Sequence, residues 1–119
     1  MGRCTERTER VGGVVMITVD YQINNDEIRL NVQGHTDEWS SGVLFNAVCG
    51  MVSVLAESCL WGCSKYSKSK VISRESGHLE FCCESNKEAR AIITTCVEGI
   101  KQVAYQFPFC FGGVNDNGD

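Results

Sequence analysis

Two hydrophobic periods run through the chain. From Val14 to Ile23 the apolar residues Val14, Met16, Val19, Tyr21 and Ile23 fall close to every second position, slipping near Thr18. Ile28, Leu30 and Val32 then alternate cleanly with Arg29, Asn31 and Gln33. A period of two with β-branched content predicts half-buried strands. Asn24-Asn25-Asp26-Glu27 between them consists of residues that tolerate left-handed backbone or bond to their own main chain, so the two strands read as a hairpin. A second hairpin is predicted from Lys70–Ser73 and His78–Cys82, around a Glu75-Ser76-Gly77 turn.

The other period is helical. Val48, Val52, Leu55, Ala56 and Cys59 recur at three and four, which predicts a helix to about Leu60, with Asn46 as its N-cap and Cys49 in its first turn. Trp61 to Lys70 reads as a polar connection. Ser85-Asn86-Lys87-Glu88 has the form of a capping box with Ser85 as the cap. Ala89, Ile92, Ile93, Cys96, Ile100, Val103, Ala104 and Phe107 continue at helical spacing until Pro108 stops them. Phe109–Val114 is expected to close the fold as a short strand. Residues 1–12 are charged and without a period, a disordered leader; residues 13–114 form one domain, and 115–119 a tail. The expected fold is an α/β two-layer sandwich, a small mixed or antiparallel sheet with two helices on one face, because the helices' apolar stripes have no other place to be buried.

Composition narrows the function. A net charge of -4, with no basic stripe beyond the lysines of 65–70, lacks the footprint of a nucleic-acid binder. The start carries no signal peptide, Glu6 occupies the place where a myristoylation signal wants Ser or Thr, and no long apolar run stands out as a membrane span, so a cytoplasmic protein is expected. The eight cysteines include no Cys-x-x-Cys and mostly occupy places where a small apolar residue would serve, which reads as buried free thiols. Cys59, Cys63, His78 and the Cys82-Cys83 pair can be drawn together as a zinc site only with a poor hook, Cys59-x-x-x-Cys63 at a helix end. No metal and no cofactor are expected. His78 reads as a structural or solvent-facing hairpin residue.

The chemistry concentrates between Gly34 and Ser58. His35 stands fourteen positions before Cys49, joined by a polar loop whose one large apolar group is Trp39. A thiol attacks as thiolate, and its ordinary pKa of about 8.5 leaves little of that form at neutral pH. An adjacent imidazole acts as base and then protonates a leaving amine, and helix-start amides, that of Cys49 included, are candidate oxyanion donors.

Gly34-His35-Thr36, Asn46-Ala47-Val48-Cys49-Gly50-Met51-Val52-Ser53, and the late Gly99–Pro108 helix resemble the Prp (YsxB-like) ribosomal-processing cysteine protease family over residues 14 to 114. The resemblance implies Cys49 as nucleophile, His35 as general base and acid, and Asn46 as a cap or orienting residue where the family carries Asp. It also implies a homodimer that removes a short hydrophobic N-terminal extension from a bacterial large-subunit ribosomal protein, or processes a phage capsid or scaffold protein. Gly50 in place of the family's alanine, and a loop about two residues longer, set this chain apart. A dimeric peptide-binding module that has lost turnover is the alternative.

Overall fold

The computed structural model describes residues 16–34, 43–75 and 77–117. In chain order these form β1 (Ile17–Ile23), β2 (Glu27–Gln33), α1 (Val43–Tyr66), β3 (Ser69–Glu75), β4 (His78–Glu84), α2 (Lys87–Gln106), a 3-10 turn (Pro108–Cys110) and β5 (Phe111–Asp116). The sheet order is β3-β4-β2-β1-β5, antiparallel throughout except for the parallel pair β1 and β5. A parallel partner requires the chain to travel back along the sheet before pairing, and α2 makes that journey. The expected mixed sheet with both helices on one face is what forms.

Burial follows the predicted alternation and settles the slip in the first strand: Ile17, Val19 and Tyr21 point inward with Ile28, Leu30, Val32, Leu79, Phe81 and Cys83. Val48, Val52 and Cys59 of α1 and Ile93, Val97 and Ile100 of α2 close over them. The opposite sheet face is polar. His78 Nε2 lies 3.0 Å from Asn31 Oδ1 and 3.6 Å from Glu80 Oε1, and Arg29 donates to Glu80 at 3.2 Å. His78 thus sits in a network across the sheet, as its structural reading expected.

The two helices are antiparallel and close. A Cβ built on Gly62 meets the Ile92 side chain at 3.1 Å, and one on Gly99 meets Leu55 at 3.2 Å. These contacts set residue 62 beside 92 and 55 beside 99, with glycine where the helices approach nearest.

Several boundaries differ from expectation. The helix predicted from Asn46 to about Leu60 runs Val43–Tyr66, so Trp61–Tyr66 is helical and not a polar connection. Leu60, Gly62 and Cys63 are buried, and that burial carries the helix past its polar residues. Asn46 is inside α1 and is not its N-cap. The cap of α2 is Asn86, not Ser85: Asn86 Oδ1 accepts from the Ala89 amide at 2.8 Å. Ser85 follows the last residue of β4 and is tied to the turn of the first hairpin, its amide donating to Asp26 O at 3.1 Å, while its hydroxyl accepts from Arg90. Phe109 and Cys110 lie in the 3-10 turn, and β5 runs on to Asp116. Val14, the leader, the 36–41 loop with Trp39, and Ser76 of the second turn fall outside the described residues.

Candidate active site

Three strands bring their ends together where β2 stops. The Gly34 amide donates to Gly77 O at 3.0 Å, joining the exit of β2 to the β3–β4 turn. Gly34 has φ +91, and a Cβ there would run into the carbonyl of Met16 just before β1. Only glycine suits that backbone and that approach. The chain leaves this corner into His35, which lies outside the described residues, and returns at Val43.

The direction of α1 brings its start to the same end of the sheet. Its last residue is held at the opposite end, where Asn86 Nδ2 donates to Tyr66 O at 2.9 Å and Cys63 Sγ lies 3.9 Å from Ala89 O. Val43 to Cys49 therefore stand over the end of β2 from which His35 departs. The fold carries Gly34, the residue before His35, and the turn of α1 that holds Cys49 to one end of the sheet.

Cys49 is the seventh residue of α1 and only 3% exposed. This corrects the first-turn placement. An amide so far into an α-helix is bonded to the carbonyl four residues back, so that of Cys49 is not a free oxyanion donor. The helix dipole also fades beyond the first turn, which leaves less support for a thiolate at this position. A thiolate at this position would need most of its support from a neighbouring side chain.

Asn46 sits one helical turn before Cys49, on the adjoining side of the helix. Its Oδ1 is buried and finds no hydrogen-bond partner among the described residues. Leaving an acceptor in that state costs about 1–3 kcal/mol. A donor brought to this corner, such as an imidazole N–H, would remove that penalty.

Cys59, Cys63 and Cys83 are buried in the core. Cys59 contacts Cys63 and Cys96, and Cys63 contacts Cys83, a run of thiols between the helices and β4. The neighbouring Cys63 and Cys96 thiols and burial hold the Cys59 thiol well above its ordinary range; Cys63 and burial do the same to Cys83. The zinc set is split by the sheet. Cys59, Cys63 and Cys83 are on the helix side, His78 and Cys82 on the open face. Among the described residues no three His, Cys, Asp or Glu side chains converge as a metal requires.

Two features escaped the sequence reading. Gly77 receives the Gly34 amide and so fixes the corner; the Glu-Ser-Gly wording marked a turn but not its partner. The other is the apolarity of α1, which reaches the length and hydropathy of a membrane-crossing helix. Nine of its residues are nonetheless buried in the domain, which gives much of that apolarity a place in the core.

The fold has known relatives. The family model described as cysteine protease Prp matches residues 15–111. No curated protein matches the chain by sequence. Among solved structures, the essential ribosomal processing protease Prp from S. aureus, in complex with a covalently linked product peptide, superposes with a TM-score of 0.70 at 19% identity. That match covers 86% of this chain and 100% of the other. The same protease with a substrate peptide gives a TM-score of 0.62 at 17% identity, covering 87% and 100%. A Streptococcus mutans protein gives 0.68 at 15% identity, covering 87% and 99%.

Proposed function

The chain belongs to the Prp family of cysteine proteases, and on that premise we propose that it is a cytoplasmic endopeptidase that removes a short hydrophobic N-terminal extension from a bacterial large-subunit ribosomal protein. Cys49 is its nucleophile. His35 takes the thiol proton, the thiolate attacks the scissile carbonyl, and the imidazolium returns the proton to the leaving amine. Water activated by the same imidazole then hydrolyses the thioester and restores the thiol. Asn46 Oδ1 accepts an N–H of the imidazole and keeps the other ring nitrogen turned to sulfur. The enzyme works as a homodimer.

The observation that carries this reading is the corner itself. Gly34, the residue before His35, is pinned to the β3–β4 turn, and α1 delivers Cys49 and the unsatisfied Asn46 Oδ1 to the same end of the sheet. The S. aureus protease, which has this fold, was crystallised with substrate and product peptides, and this supports a peptide as the substrate here.

The test is cleavage of a peptide spanning such an extension, with a phage capsid-type junction alongside. Wild type is expected to cut the ribosomal peptide, while Cys49→Ala and His35→Ala keep the native circular dichroism and cut neither. Cleavage by Cys49→Ala at the wild-type rate would sink the assignment. Tight binding of both peptides by wild type without turnover would leave the binding-module reading in its place.

A further inference from the structure

The seam between α1 and α2 is built in rungs, and a central rung is a pair of thiols. Leu55 faces Gly99 at one rung and Gly62 faces Ile92 at another. Cys59 stands four residues after Leu55 and three before Gly62, while Cys96 stands four after Ile92 and three before Gly99. Antiparallel helices in that register set Cys59 opposite Cys96, and the two thiols are in contact. The glycine on either side lets the backbones approach, so this rung lies where the helices are nearest.

Two other thiol pairs touch, and neither suits a bond. Cys59 and Cys63 are four apart on one helix, which holds their Cβ atoms about 5–6 Å apart. A disulfide requires about 3.5–4.5 Å, so that pair closes only if the helix breaks. Cys63 and Cys83 are both buried, and neither offers a reagent a first sulfur. Cys96 differs. Leu55, Ile92, Cys96 and Gly99 are half-buried, whereas Ile93, Val97 and Ile100 on the next face of α2 are buried, so Cys96 opens on the outer edge of the seam with Cys59 behind it. A hydrogen bond from Cys59 holds the Cys96 thiol below its ordinary range, while Cys63, Cys96 and burial hold Cys59 well above. A reachable sulfur biased toward thiolate, beside a buried partner that keeps its proton, is the arrangement of a peroxide-sensitive thiol and its resolving cysteine.

We propose that Cys96 and Cys59 form a modification site, in which a hydroperoxide oxidises Cys96 and Cys59 closes a disulfide that staples α2 to α1. The Cys96 thiol yields its proton, its sulfur takes the outer oxygen of hydrogen peroxide as the O–O bond breaks, and a sulfenic acid and water form. The Cys59 sulfur then attacks the Cys96 sulfur. The S–O bond breaks, hydroxide leaves with the Cys59 proton as water, and the S–S bond forms. Two thiols have given two electrons to one peroxide. A small-molecule thiol reverses the step by attacking Cys96, the sulfur it can reach, and a second equivalent resolves the mixed disulfide. The bond restricts the unfolded chain over residues 59–96 and so stabilises the fold. It lies in the helix that carries Cys49 but takes no part in cleavage, and it stands whether or not the peptidase reading does.

The test uses the reduced full chain, treated with hydrogen peroxide in slight excess, alkylated, and digested without reductant. The expected product joins the peptide of Cys96 to that of Cys59, and a small thiol releases it. Oxidised wild type is expected to melt about 10 °C or more above the reduced protein. Cys96→Ser, a near-isosteric change at a half-buried position, is expected to lose both the link and the shift. Cys63→Ala is expected to link as wild type does. In Cys59→Ala no partner resolves the sulfenic acid, so trapping of Cys96 by dimedone is expected to rise at least about tenfold over wild type.

Wild type in which peroxide leaves Cys96 unlinked, or joins it to a thiol other than Cys59, overturns the site. Dimedone labelling of Cys96 that is equal in Cys59→Ala and wild type overturns Cys59 as the resolving partner. Linked protein that melts no higher than reduced protein overturns the staple. Should Cys59→Ala fail to fold, the wild-type peptide map and Cys96→Ser decide the matter by themselves.

Discussion

The two helices of this domain obey different rules. α2 is amphipathic, with Ala89, Ile93, Val97 and Ile100 buried and charged or polar residues outward, and it begins on a side chain that caps it. α1 is apolar on most of its surface, and the buried Oδ1 of Asn46 in its first turns has no hydrogen-bond partner among the described residues. The difference reflects what each touches. α2 has one neighbour to satisfy, the core, and its solvent face can be polar. α1 meets the core on one side and the end of β2 at its start, and it also turns uncharged residues such as Leu44, Val54 and Trp61 outward. A helix hydrophobic all round and not fully buried still lacks a contact.

The comparison breaks most visibly at one residue of each helix. Cys49→Ala is expected to lower kcat/KM by more than about 10³-fold, as loss of a covalent nucleophile does, while unfolding shifts by only about 1 kcal/mol. Ile100→Ala in α2 should do the reverse. It empties a fully buried position at the helix–sheet interface, for an expected loss of about 2–5 kcal/mol in urea unfolding, with kcat nearly unchanged in the molecules that remain folded. If Ile100→Ala impairs turnover as deeply as Cys49→Ala at temperatures where the protein is still folded, the division into a catalytic and a supporting helix is wrong.

The same contrast explains what could be read from the sequence. The strands were legible because each has one buried face, and alternation reports that directly: Ile28, Leu30 and Val32 were assigned inward and are inward. α2 was legible because its polar face makes the period visible and Pro108 marks its end, although the cap is one residue later, since the Ser85 amide is tied to Asp26 in the first hairpin turn. α1 was misread at both ends. Its inward stripe was found, but with apolar residues also pointing outward there was no polar face to show where the helix began. Asn46 was taken for a cap on its general preference, and tertiary burial of Gly62 and Cys63 extended the helix through a stretch whose local wording is polar. Of the dyad, the residue types and the family wording were legible. That α1 begins at the corner where β2 ends was not, because it depends on the Gly34–Gly77 bond and the Asn86–Tyr66 bond, contacts far apart in sequence.

Two asparagines sharpen the comparison with smaller effects. Asn86 is satisfied twice, its Oδ1 taking the Ala89 amide and its Nδ2 giving to the last carbonyl of α1. Asn86→Ala frees both a helix-start donor and a helix-end acceptor, and should cost about 2 kcal/mol in thermal or urea unfolding. An unchanged midpoint would mean that solvent replaces both bonds without loss.

Asn46 should behave in the opposite way. Its buried Oδ1 is a liability to the free fold, so Asn46→Ala is expected to change stability by less than about 1 kcal/mol, and in the stabilising direction if the amide packs loosely. Its effect should fall on kcat, about tenfold down, with little change in KM, because an acceptor that orients an imidazole matters only when the proton moves. Asn46→Asp keeps the acceptor and adds charge. A carboxylate beside His35 favours the imidazolium and raises its pKa, so the acid limb of the kcat/KM profile, below which His35 is protonated and cannot serve as base, should move to higher pH. A buried carboxylate is also destabilising unless paired. Asn46→Asp should therefore cost little while His35 is present and markedly more in the background of His35→Ala. That coupling isolates the pair from every other effect of the two substitutions. Additive losses would show that Asn46 does not touch the imidazole.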